Sequence, residues 1–177
     1  ARACEVPATR AQLAGALARG EEAWATLDRR AFDVAWADAR AHLACLAEPV
    51  HPEEARSAHL VEAYACALER DDAAARAAFR SILAVDPTWQ LPVAAAPPTH
   101  RLRLAFVAAQ GDARDPRRPV HAPPGGTILV DGLPSGDVPL LRPVIVQALD
   151  ADGRVVASGL LTPAAVRTLS TSLLLTL

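Results

Sequence analysis

At 177 residues the chain is long enough for one ordinary domain or two small ones and too short for a large multidomain enzyme. Its 18 Lys plus Arg against 20 Asp plus Glu leave a formal charge of −2, which gives no electrostatic case for nucleic acid or an anionic membrane surface. Forty alanines and only seven aromatic residues mean that the core has to be built from small side chains on closely approaching helices.

Composition divides the chain into a helical domain, 1–113, a Pro/Gly-rich linker, 114–125, and a small β module, 126–177. The predicted fold class is therefore α+β, with a stack of antiparallel helical hairpins followed by a small, mostly antiparallel β unit. Apolar spacing predicts a first helix from about Pro7 to Leu27, with Leu13, Leu17, Trp24 and Leu27 on one side. Pro7 suits a first-turn position, where its missing N–H has no partner to lose. A second helix, Ala31 to Ala47, carries Phe32, Trp36, Ala39, Leu43 and Leu46 as its stripe and is stopped by Pro49, His51 and Pro52. A third spans Pro52 to Glu69, with Glu53 and Glu54 in the first turn, where the helix dipole favours acids. Asp71 or Asp72 offers an N-cap for a fourth helix that ends before Asp86-Pro87, and Leu104, Phe106 and Val107 belong to a short fifth one.

A forty-residue shift places Ala23-Trp24-Ala25 on Ala63-Tyr64-Ala65, Arg30 on Arg70, Ala35 on Ala75 and Leu43 on Leu83. The run Arg70 to Pro87 resembles the second helix of a tetratricopeptide repeat, with Ala75, Phe79 and Pro87 at that motif's small, aromatic and helix-ending positions. In a second unit, Trp24 to Leu46, Ala39 falls where the aromatic residue belongs. Two units are fewer than the usual minimum of about three for a free-standing solenoid, so the fifth helix or the β half has to cover the open end.

In the second half, Gly126 to Leu140 resembles a PEGA-type surface module, through Val130-Asp131-Gly132 and the turn Gly136-Asp137-Val138-Pro139. That resemblance implies a small β unit of a bacterial envelope protein. Val144 to Leu149 and Arg154 to Ser158 flank Asp150-Ala151-Asp152-Gly153, a hairpin signal. Thr171 to Leu177 is expected to add a fourth strand, buried on both faces or paired across a homodimer.

No catalytic residue is assigned, because the serines lie in no nucleophile elbow and the histidines form no metal-ligand pair at four-residue spacing. His59 and Glu62 share a helix face at i, i+3, which supplies two ligands where a metal site needs more. Pro123 to Thr127 lacks the lysine of a phosphate loop, so neither metal nor cofactor is expected. The acidic pairs Glu21-Glu22, Glu53-Glu54 and Asp71-Asp72 sit near helix ends, where capping and solvation account for them.

Three cysteines remain, at 4, 45 and 66. Cys45 lies about 160° from the centre of its helix's apolar stripe at 100° per residue. Cys4 stands on a lead before the first helix, so a Cys4–Cys45 disulfide with Cys66 free suits both positions; three reduced thiols or a lipidated Cys4 are the alternatives. The chain begins with Ala1 rather than methionine, from which a trimmed N-terminus is expected. No apolar run reaches the length of a membrane span.

The two resemblances and the lack of a catalytic constellation predict a non-enzymatic adaptor or scaffold of a bacterial envelope assembly. Its expected place is the periplasm or the outer-membrane surface, with the cytoplasm as the alternative. Its expected partner is a protein segment, gripped by Arg19, Arg40, Arg76 and Arg80 as fork-like donors. Trp89 has two readings, a staple for its loop or a surface for the partner. The alternative function is a pocket for a small molecule or glycan between helices and sheet, near Trp89, Tyr64 and His100.

Overall fold

The computed structural model describes residues 4, 6–111 and 115–168. Five helices come first: α1 (Arg10–Ala25), α2 (Arg29–Ala44), α3 (Pro52–Leu68), α4 (Asp72–Val85) and, after a 3₁₀ turn at Val93–Ala95, α5 (Arg101–Gln110). The strands follow as β1 (Arg117–Pro119), β2 (Thr127–Val130), β3 (Leu133–Pro134), β4 (Asp137–Pro139), β5 (Val144–Leu149) and β6 (Val155–Leu161), with α6 (Pro163–Thr168) last. The fold is α+β, helices before sheet, as the composition predicts.

Helix boundaries have local causes. The Thr9 hydroxyl accepts from the Gln12 backbone N–H while the Gln12 side chain accepts from Thr9 N–H, a reciprocal cap that starts α1 at Arg10 rather than at Pro7. Ala8 is drawn instead into a backbone bridge, donating to the Cys45 carbonyl at 2.8 Å and accepting from Ala47 N–H at 3.0 Å. The same bridge ends α2 at Ala44, short of the expected Ala47. Pro52 opens α3, and Glu54 turns back to accept from His51 N–H at 2.8 Å.

The two hairpin turns are copies of one another. Leu27 and Arg70 both take positive φ, 58° and 62°, and the next residues, Asp28 and Asp71, cap α2 and α4 through side-chain bonds to Ala31 N–H and Ala74 N–H. Backbone bonds Asp28 N–H to Ala23 O and Asp71 N–H to Cys66 O complete the match. The repeat offset is thus 43 residues (28 to 71), and the forty-residue alignment is three out of step because alanine matches alanine at many shifts. At the correct offset Trp36, not Ala39, stands opposite Phe79.

Helices α1 and α2 pack as one hairpin and α3 and α4 as another, with α3 touching both members of the first and α5 lying on α4 and α3. Leu13, Leu17, Phe32, Leu43, Val61, Phe79, Ile82 and Leu102 fill the core between them. The inner face of α5 is Leu102, Ala105, Phe106 and Ala109, whereas Leu104 and Val107 of the same helix are exposed. Phe106 meets Phe79 at 5.4 Å and Trp89 at 5.5 Å between ring centres, and that contact sets the rotation of the helix.

The main sheet is antiparallel in the order β3-β2-β5-β6, and β1 pairs with β4 in a second, two-stranded one. β1 therefore lies within the segment read as a linker, and Val120 after it is buried. Strand β5 is buried on both faces. Val144, Val146 and Ala148 join Val120, Ile128, Val130, Val138 and Val166 in a second core, while Ile145, pointing the other way, belongs to the helical one. The strand expected over Thr171–Leu177, and a dimer contact through it, lie outside the described residues.

Candidate functional site

The two halves are joined by buried polar groups. Gln147 of β5 accepts from Val50 N–H at 2.7 Å and donates to the Glu48 carbonyl at 3.1 Å and to Ser158 at 3.2 Å. Ser81 of α4 donates to the Pro143 carbonyl at 2.6 Å. At the centre His59 of α3, fully buried, places Nε2 2.8 Å from Asp131 Oδ1. The same oxygen accepts from Ile145 N–H at 2.9 Å, and Oδ2 accepts from Arg142 at 2.8 Å. Asp131 sits in the left-handed region, φ 52°, and is followed by Gly132 at φ 83°, where a Cβ would stand 2.7 Å from the Val50 carbonyl oxygen. Only glycine lets that turn approach the start of α3 so closely.

Burial alone would keep His59 neutral, but the charge and hydrogen bond of Asp131, helped by Glu62 at 3.4 Å from Nδ1, outweigh it and raise the histidine from 6.5 to about 9. Burial likewise works against ionisation of Asp131, and His59 with Arg142 overcomes it, holding the carboxyl below its ordinary range. At neutral pH the seam is a buried ion triad. Both ring nitrogens of His59 are engaged and none of its surface reaches solvent, so it ties α3 to the sheet instead of offering a ligand or a base.

Cys4 and Cys45 form a disulfide, with Cα atoms 5.6 Å apart, and Cys66 is a free, half-buried thiol. Burial, with Glu62, Asp71 and Glu69 nearby, pushes the Cys66 thiol from 9.0 up to about 12. Arg10, just past the pinned lead, pairs with Glu54 at 2.8 Å.

The arginines expected to grip a partner are dispersed. Arg19 pairs with Asp38 at 3.1 Å, Arg40 lies on α2 beside β6, and Arg76 is exposed on α4. Arg80 approaches Asp115 at 3.7 Å, at the seam with the β half. Trp89 is half-buried against Phe79 and Phe106, and its ring holds the loop after α4 onto the domain. Arg103 fastens the same loop by donating to the carbonyls of Leu91, Pro92 and Ala96.

Tyr64 and His100 come together, though around Trp24 and not at the sheet. The Trp24 ring stacks on Tyr64 at 4.4 Å with the planes 7° apart, meets His100 edge-on at 6.2 Å, and donates its indole N–H to the Ala95 carbonyl at 3.0 Å. Trp24, Ala95 and His100, but not Tyr64, line a cleft of about 420 Å³, bounded also by Leu27, Phe32 and Leu68 and by the charged Asp28 and Arg29. Leu27, on the left-handed turn, lines the cleft and is 88% exposed. The apolar spacing of α1 places Trp24 and Leu27 together, but Ala95 and His100 come from a segment some seventy residues on, which no local pattern reveals.

No known protein family, characterised protein or solved structure matches the chain. Fold and site define it as an α+β protein in which two helical hairpins and a capping helix are joined through a buried polar seam to a small antiparallel sheet. Among the described residues no helix is long and apolar enough to cross a membrane.

Proposed function

We propose that the chain is a non-enzymatic interaction module of a bacterial cell envelope, a tetratricopeptide-like stack carrying a PEGA-like β unit. Its helical part takes a protein segment that places an aliphatic or aromatic side chain in the cleft lined by Trp24, Leu27 and His100. The observation that carries this reading is the apolar cleft at the first hairpin turn, with Leu27 held out in solvent beside it. The disulfide supports an oxidising compartment, hence the periplasm or outer-membrane surface.

A random peptide library displayed on phage and selected on the immobilised protein tests the cleft. Enriched sequences should share an apolar anchor, and Leu27→Glu should weaken them about tenfold or more, the loss of roughly 1.4 kcal/mol expected from one buried contact. Val34→Glu, on another exposed surface, should leave them unchanged. A selection that enriches nothing, or peptides indifferent to Leu27→Glu, overturns the reading.

A further inference from the structure

The connection between α2 and α3, residues 45–51, is held from two sides. On one side lies the lead into α1: the Cys45 carbonyl accepts from Ala8 N–H at 2.8 Å, Ala47 N–H donates to the Ala8 carbonyl at 3.0 Å, and the Glu48 carboxylate accepts from Arg10 N–H. The Cys4–Cys45 disulfide closes the same side covalently. On the other side lies the β half, where Gln147 of β5 grips the Glu48 carbonyl and Val50 N–H and the Gly132 turn comes against the Val50 carbonyl. Pro49 stands between the two groups that Gln147 grips, and its fixed φ carries a displacement of one to the other. Leu46 and Val50 are buried in the helical core, so this strap stays on the molecule whichever tie is lost.

We propose that the disulfide is a redox-sensitive tie on the β half: its reduction loosens the strap and, through Gln147, the strap side of the joint between helices and sheet, while the sheet itself stays paired. Ordering a strap costs backbone freedom, and a tie that already orders it lowers the cost of the next. The disulfide and Gln147 share residues 45–50 in this way, so each strengthens the other. The bond is open to attack, because Cys4 is exposed. A dithiol reductant supplies the chemistry: its thiolate bonds to the Cys4 sulfur, and Cys45 leaves as a thiolate that takes up a proton. The second thiol of the reductant then closes on the first, releasing Cys4 as a thiol and the reductant as its own disulfide. Ala8 is left joined to residues 45 and 47 by two hydrogen bonds with no covalent tie behind them, and such bonds open readily.

Proton exchange of the Gln147 side-chain amide, followed by NMR on the full chain before and after reduction with dithiothreitol, tests this. That amide donates to the Glu48 carbonyl and to Ser158, and it should exchange about tenfold faster after reduction. Backbone amides of β5 paired with β2 and β6 should keep their rates. Full-length Cys4→Ser without reductant should match the reduced parent. In urea unfolding, Gln147→Leu should cost less in the reduced chain than in the oxidised one, whereas Ser81→Ala, whose bond to Pro143 involves no residue of the strap, should cost the same in both. If Gln147→Leu does not fold, the exchange data decide alone. Unchanged Gln147 exchange on reduction, or equal costs of Gln147→Leu in the two states, overturns the proposal. So does a uniform rise in exchange across the sheet, because the bond would then secure the whole fold and not one joint.

Discussion

Replacing Asp131 by Asn isolates the charge at the centre of the seam. Asparagine is nearly the same size and tolerates positive φ, so the backbone at 52° adds little of its own. What changes is that His59 and Arg142, both bonded to the carboxylate at 2.8 Å, lose the anion between them. Removing one member of a buried ion group costs about 3 to 5 kcal/mol. The histidine gives a consistent figure, since a rise from 6.5 to about 9 corresponds to about 3 kcal/mol. Because its folded value lies above its unfolded one, that stability is fully present below about 6.5 and is lost as pH climbs through about 9. Asp131 acts at the opposite end: its lowered value means its share is lost as pH falls through the acid range. Urea unfolding of parent and variant should therefore differ by about 3 to 5 kcal/mol at neutral pH and differ less towards pH 10, where His59 is neutral in both and only the share of Arg142 remains. A difference under about 1 kcal/mol at neutral pH, or parallel pH profiles, would show that packing and not charge holds the seam.

Reducing the Cys4–Cys45 bond, or Cys45→Ser, should lower stability by up to about 4 kcal/mol for a loop of 41 residues, read as a fall in Tm with reductant. The fold should survive, because the Ala8–Leu46 bridge remains. Gly132→Ala should destabilise by about 1 to 3 kcal/mol through positive φ and the clash with Val50, while Gly136→Ala, with nothing within 4 Å of its added Cβ, should be neutral in the same thermal melts. Trp89→Ala should cost about 2 to 4 kcal/mol in urea unfolding by stripping the ring from Phe79 and Phe106. An unchanged midpoint would assign Trp89 to the surface and not to the fold.

Local chemistry made the helical half legible. Pro52 with Glu53 and Glu54, the Asp71 cap and the Asp86-Pro87 stop each act on a neighbour a few residues away, so they can be read along the chain. The start of α1 was equally local, and Thr9 with Gln12 is the signal that Pro7 overshadowed. The seam is different in kind. His59 meets Asp131 across 72 residues and Gln147 meets the Val50 backbone across 97, and nothing in a window around His59, Asp131 or Gln147 distinguishes them from solvated polar residues. The repeat was visible but misaligned, since alanine offers matches at every shift, whereas the two left-handed turns before Asp28 and Asp71 fix it. β1 escaped notice because Arg117-Arg118-Pro119 has none of the residues that favour strands and forms one only because β4 is there to pair with it.

The state of Cys66 bears on how the disulfide is made. An attacking sulfur must be a thiolate, and burial, which raises the Cys66 thiol well above its ordinary range, keeps it protonated at neutral pH. Once the helices have formed, the third cysteine is therefore almost silent and the Cys4–Cys45 link is safe from exchange with it. Before they form, all three sulfurs have similar reactivity, and any mispairing is settled in that interval. Folding order thus sets the fidelity of oxidation: the earlier α3 buries Cys66 against the core, the fewer wrong bonds the chain has to undo.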